Sequence, residues 1–164
     1  MSAPSDSGED FALGEVRFRQ MRFELAVQAY ARAVELDPSD PNSYMMQGAS
    51  LLQLHRPEEA IPLLRRALKL QPKFTGAHAT LGKALAQTGR DQEAVQELES
   101  AAGSDTDGSL HYLLFTLYSK FGEKEKAKQA LQDSNRLNQQ ARKESERKLE
   151  RNVQRKGSLD SPGR

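Results

Sequence analysis

An all-α fold, built as a solenoid of antiparallel helix pairs, is predicted by three features of the sequence. Small residues recur at a constant interval: Gly14, Gly48 and Gly82 stand 34 apart, as do Ala26, Ala60 and Ala94, and again Ala33, Ala67 and Ala101. Glutamate precedes two of these alanines, in Glu59-Ala60 and Glu93-Ala94, and Pro38 and Pro72 follow the same period. A shared period of this length marks stacked supersecondary units. Within each unit the apolar residues keep helical spacing, as in Val27, Tyr30, Val34 or Ile61, Leu64, Leu68, and no stretch alternates as a half-buried strand would. Breakers fall twice per period, so each unit is two helices joined by a tight turn.

The elements follow in order. The first unit, residues 7–40, opens with Ser7 and Asp10 spaced as a capping box, turns at Met21-Arg22 and closes at Asp37-Pro38. The second, residues 41–74, places Asp40 as N-cap before Pro41 at the first helical position and turns at His55-Arg56-Pro57. Pro62 lies past the first turn of its second helix and removes a backbone donor there, so an outward bend is expected. The third unit, residues 75–107, turns at Gly89-Arg90, and its run Ala102-Gly103-Ser104-Asp105-Thr106-Asp107 predicts a shortened second helix and an open loop. A fourth, degenerate unit at 108–137 fits with a one-residue slip, since Ala127 follows Ala94 by 33 and Phe115 takes the glycine slot. The glycines of the first helices are expected to face the alanines of the second, letting two backbones approach.

From Glu123 to Lys156 there is neither Gly nor Pro, so a charged helical extension or cap is expected over 138–156. Leu137, Ala141, Ser145, Leu149 and Val153 form a stripe whose first part could cover the last repeat and whose distal turns should be solvated. Residues 1–6 and 157–164 are expected to be disordered.

Composition narrows the chemistry. The 164 residues, 37% hydrophobic, can bury one core, and the absence of cysteine removes disulfides, thiolate zinc sites and cysteine nucleophiles. Net charge is +1, divided between a body of net −4 over residues 1–134 and a tail of net +5 over 135–164. No secretion signal and no membrane-spanning stretch is read in the chain, which points to a soluble, by default cytoplasmic, protein. His55, His78 and His111 do not converge as ligands at helical spacing, so no metal and no cofactor are expected. Gly76 to Gly82-Lys83 looks like a phosphate loop, but it has five residues between its glycines and no Ser/Thr after the lysine. Glu58-Glu59 and Glu97/Glu99 lack histidine or serine partners for acid–base or triad chemistry. The tail from Arg142 to Arg151 mixes both signs without aromatic residues, the pattern of a solvated helix and not of a nucleic-acid surface.

The 34-residue pattern resembles the tetratricopeptide repeat family across roughly residues 7–137. The resemblance implies a right-handed superhelix of three clear repeats, a degenerate fourth and a C-terminal helical extension, with the Pro62 slot facing solvent. It also implies that the first helix of each unit lines a concave groove. That assigns Phe11, Glu15 and Phe18 from the first unit, and Asn42, Met45, Met46, Ala49 and Gln53 from the second. Thr80, Lys83 and Gln87 come from the third, and Tyr112 and Thr116 from the fourth. The family's carboxylate-clamp slots carry Phe11, Glu15, Met46, Gly76 and Thr80 here, so no clamp is expected. The function implied is a non-catalytic scaffold or adaptor that binds a protein or peptide segment, with no small-molecule substrate. The alternative is an accessory domain of a larger enzyme or of a secretion or assembly machine.

Overall fold

The computed structural model describes residues 6–159, with side chains described to residue 154, and among these residues it is helical without a strand. Two compact units divide the chain near Gly103. The first holds three helical hairpins: α1 (Ser7–Arg19) with α2 (Phe23–Leu36), α3 (Pro41–Gln53) with α4 (Pro57–Leu70), and α5 (Thr75–Gln87) with α6 (Asp91–Ala101). Here α2 touches both α1 and α3, α4 touches both α3 and α5, and the first helices α3 and α5 also meet directly. The core is made by the repeated small and aliphatic positions, with Ala26, Ala33, Ala60, Ala67, Ala94 and Ala101 all fully buried.

The glycine period has a different packing reason from the one expected. A Cβ on Gly14 would stand 2.5 Å from the Tyr30 ring, one on Gly48 2.8 Å from Leu64, and one on Gly82 2.6 Å from Leu98. Tyr30, Leu64 and Leu98 are themselves 34 apart and completely buried. Each glycine is therefore a socket for a large side chain of the second helix, and the alanines four residues earlier complete the seam without facing the glycine. The fully filled socket leaves no room for even one methyl group.

The turns repeat as well. Met21, His55 and Gly89 occupy the same slot and all have positive φ, at 58°, 56° and 75°. A left-handed residue closes each hairpin, which glycine adopts freely and the other two only with strain. Caps follow the sequence with one correction. Asp40 accepts the N–H groups of Asn42 and Ser43, as Pro41 at the first helical position implied. At the start of α1, Asp6 is the N-cap and accepts from Gly8, while Ser7 is already helical. Asp10 does not complete a capping box because it is buried and turned toward α2, where Arg32 Nε donates to its Oδ1 at 3.0 Å. Pro62 is exposed, and α6 is shorter than α2 and α4, ending in a 3-10 turn at Ala102–Ser104.

The second unit is one hairpin, α7 (Ser109–Phe121) and α8 (Lys124–Leu159). Ala127, Ala130 and Ser134 are buried under α7, Leu131, Leu137 and Ala141 are half-buried, and every later described side chain is exposed. Beyond Ala141 the helix is thus an extension and not a cover. It also runs past the expected end at 156 to Leu159, because one glycine, Gly157, costs a helix only about 1 kcal/mol. Of the ends expected to be disordered, 1–6 and 157–164, residues 1–5 and 160–164 lie outside the described residues, whereas Asp6 caps α1 and 157–159 belong to α8.

Two stability changes follow. Gly48→Ala should cost about 1–3 kcal/mol through overpacking against Leu64, read as a lower thermal midpoint; an unchanged midpoint would mean the socket can open freely. His55→Gly should stabilise by about 0.5–1 kcal/mol through relief of left-handed strain, measured by urea titration against Met21→Gly as the equivalent site.

Candidate functional site

The first helices of the first unit carry most of the residues assigned to a groove. On α1, Phe11 is half-buried with its ring 5.5 Å from that of Tyr30 in an edge contact, and Phe18 makes a similar contact with Phe23 at 5.3 Å. Both rings therefore brace their own hairpin while keeping part of their surface accessible. Glu15 is half-buried and pairs loosely with Arg19 at 3.8 Å. Beside it the Tyr30 hydroxyl is buried, with no hydrogen-bond partner among the described residues, and burial, reinforced by the Glu15 charge, pushes its pKa up to about 12.

On α3, Met45, Met46 and Ala49 are half-buried and Asn42 and Gln53 are exposed. Met45 reaches across to α5, its Cε 3.9 Å from where a Cβ on Gly76 would lie, so part of its surface joins neighbouring repeats. Asn42 is less free than the sequence suggests, because its side-chain amide donates to Asp40 Oδ1 at 3.0 Å as part of the α3 cap. On α5, the Thr80 hydroxyl donates to the Gly76 carbonyl at 2.7 Å, while Lys83 and Gln87 are exposed. A hollow of about 400 Å³ at the opening turns of α1 and α3 is lined by Ser7, Gly8, Phe11, Asp37, Asp40, Asn42 and Ser43. Burial opposes the charge of Asp40, but hydrogen bonds from Ser43 and Asn42 outweigh it and hold this carboxyl below its usual range.

In the second unit Tyr112 is 58% exposed on α7, its ring 5.8 Å from Phe115, and the exposed Thr116 donates its hydroxyl back to the Tyr112 carbonyl. Tyr112 lines a second hollow, of about 510 Å³, with Asp107, Gly108, Ser109, Ser134, Asn135 and Asn138. Asn135 and Asn138 on α8 were missed from the sequence because second helices are not assigned to the groove; their spacing of three on one helix face was the available signal. The floor of this hollow is built tightly. Gly108 has φ 84°, a Cβ there would collide with the Ser134 main chain, and the Ser134 hydroxyl donates to the Gly108 carbonyl at 2.8 Å. The buried Asp105 carboxylate accepts the N–H groups of Gly108 and His111, each at 3.0 Å, and lies 2.7 Å from His111 Nδ1. Burial opposes its charge, yet the bonds from the His111 side chain and main chain and from Gly108 win, and its pKa is held below the ordinary value.

The histidines are occupied structurally. His78 lies 2.6 Å from Glu97 and 2.8 Å from the Pro72 carbonyl, and His55 sits at a strained turn. Among the described residues no group of three or more His, Cys, Asp or Glu could hold a metal ion, and no helix is long and apolar enough to cross a membrane.

Fold and surface together define a helical-repeat protein whose first helices present a mixed apolar and polar lining. Tetratricopeptide repeat family models match residues 10–41 and 51–113, together more than half of the sequence. The chain belongs to the tetratricopeptide repeat family. It is similar in structure to MamA, at 18% identity and TM-score 0.75 over 85% of this chain and 82% of that one. It is also similar to YrrB, described as a TPR protein with an unusual peptide-binding site, at 23% identity and TM-score 0.68 over 84% and 74%. The second TPR of Spaghetti (RPAP3), bound to the HSP90 peptide SRMEEVD, matches at 22% identity and TM-score 0.58 over 60% of this chain and 91% of its own. At these identities the likeness establishes the fold. Comparison with curated proteins finds no match.

The Asp105 geometry sets an acid limit. A carboxyl whose folded pKa is depressed contributes stability that is fully present above its unfolded value, about 3.9, and is lost as pH falls through the folded value. Asp105→Asn should therefore cost about 1–3 kcal/mol at neutral pH, and the gap to wild type should close below about pH 4. Urea unfolding followed from pH 7 to pH 3 checks it; a gap independent of pH would assign the loss to shape alone.

Proposed function

We propose that this chain is a non-catalytic protein–protein interaction module, a scaffold or adaptor that holds a segment of a partner protein along its first helices without a carboxylate clamp. The observation that supports the reading is that Phe11, Met45, Met46 and Ala49 on the first helices are half-buried rather than enclosed, while Gln53, Lys83 and Gln87 are exposed. Methionine moulds to varied apolar side chains, and amides suit a peptide main chain that still needs partners. Phe18 and Thr80 complete the proposed contact set of the first unit with Asn42, whose carbonyl oxygen can accept while its amide caps α3, and Tyr112 and Thr116 are the second unit's own candidates. Glu15 and Lys83 are the charges of that set, too few of either sign to grip a terminal carboxylate through paired cations.

Such a contact should depend on buried apolar area more than on salt. A partner recovered by affinity capture should bind with an affinity that changes little between low and physiological salt. Met45→Asp should weaken it by about 2 kcal/mol, roughly 30-fold, and Lys83→Glu by less. Titration calorimetry on both variants at two salt concentrations decides. Binding that falls steeply with salt, is abolished by deleting residues 142–156 and ignores Met45→Asp would overturn the groove reading.

A further inference from the structure

The first hairpin carries a set of side chains that its sister hairpins lack. On α1, Phe11, Glu15 and Phe18 follow one another at steps of four and three and so share one helix face. At the 34-residue step the same three slots hold Met45, Ala49 and Leu52 on α3, and Ala79, Lys83 and Ala86 on α5. Neither of those sets has a ring or a carboxylate, although both hairpins close on the same kind of glycine socket. Packing of the repeat therefore does not require two rings about an acid.

The residue that fills the socket differs in the same hairpin. Leu64 and Leu98 fill theirs with carbon alone, while Tyr30 adds a hydroxyl that is enclosed and has no hydrogen-bond partner among the described residues. Glu15 is one of the charges that act on this hydroxyl. A buried hydroxyl without a partner weakens a fold, and its presence in this hairpin alone marks a place where the set of polar contacts is incomplete.

Charge and shape select what completes it. Both rings are held in position by their own hairpin, Phe11 through its edge contact with Tyr30 and Phe18 through that with Phe23. Among the described residues no cation lies over either ring. Glu15 is half-buried, and its pairing with Arg19 at 3.8 Å is too long for a hydrogen bond, with the Arg19 side chain 75% exposed. A carboxylate with no close donor, flanked by two aromatic rings, attracts a cation and repels an anion. Of the cations a protein segment can offer, a guanidinium fits such a place best, because it is planar, lies flat against a ring and donates two parallel N–H bonds to one carboxylate.

We propose that Phe11, Glu15 and Phe18 receive an arginine side chain of the bound segment, with Glu15 as the acceptor and the two rings as the walls. The inference rests on the groove reading above and adds to it the chemistry of one partner residue. Arg19 is a weak internal competitor for Glu15. Tyr30 is a positioning residue, whose hydroxyl donates to Glu15 when the carboxylate turns to the incoming guanidinium.

NMR titration of the full chain with acetyl-arginine methylamide tests this. The Phe11 and Phe18 ring resonances should shift together, with a dissociation constant of about 1–30 mM. Acetyl-citrulline methylamide, the uncharged isostere, and acetyl-lysine methylamide should each bind at least about threefold more weakly. Glu15→Gln should lose the shifts with its helical circular dichroism intact, and Arg19→Gln should tighten binding about twofold by removing the competitor. Tyr30→Phe should raise the thermal midpoint and yet weaken arginine binding, opposite directions that a purely structural role would not produce. A wild type whose two rings do not respond, citrulline or lysine binding as well as arginine, or a Glu15→Gln chain that still binds overturns the proposal, and Tyr30→Phe binding at full strength overturns the part given to Tyr30. The groove reading fails separately, when a captured partner ignores Met45→Asp.

Discussion

Each hairpin of the first unit depends on one contact, the insertion of Tyr30, Leu64 or Leu98 into the space left by Gly14, Gly48 or Gly82. The distance between the two helices of a pair is set there, because a Cβ on the glycine would overlap the inserted side chain. Once that spacing is set, the fully buried alanines at 26, 60 and 94 and at 33, 67 and 101 can sit at helix crossings with no side chain to displace. The left-handed residues Met21, His55 and Gly89 then bring the chain back at the right separation. Polar links at the edge hold the same pairs, Asp10 with Arg32 in the first hairpin and His78 with Glu97 in the third. These are secondary to the socket, since partly exposed polar contacts of this kind contribute on the order of 1 kcal/mol each.

The second unit solves the problem differently. Phe115 stands where the glycine would be and no socket exists, so the hairpin is closed at its opening end instead. Gly108 lies directly on Ser134, and Asp105 collects three hydrogen bonds from the start of α7. A buried carboxylate is tolerated because two of these partners, the Gly108 and His111 N–H groups, would otherwise lack an acceptor at a helix N-terminus, and the His111 ring supplies the third. The one-residue slip in the repeat spacing coincides with this change of mechanism.

In the proposed reading, packing and recognition would draw on the same side chains. Phe11 and Phe18 brace α2, Met45 spans to Gly76, Asn42 caps its own helix, and Thr80 bonds its own backbone, yet all but Asn42 remain half-buried rather than enclosed. A surface of this kind is held in shape before any partner arrives, which lowers the entropy lost on binding. The specificity the proposed contact would offer is that of shape and apolar area more than of charge.

The all-helical fold, the pairing of its helices, the shortened sixth helix and the Asp40 cap were legible in the sequence, because periodic small residues, Pro and Gly act through local backbone geometry that the sequence encodes directly. What each small residue faces was not legible. That Gly48 receives Leu64 rather than Ala60, that Asp10 turns inward to Arg32 rather than capping its helix, and that Asn135 and Asn138 share a hollow with Tyr112 all depend on how side chains from separate helices meet. Spacing along one helix specifies which face a residue occupies, but the partner on the opposite face is chosen by the volume and donors left once both helices are in place. Only the tertiary structure decides that.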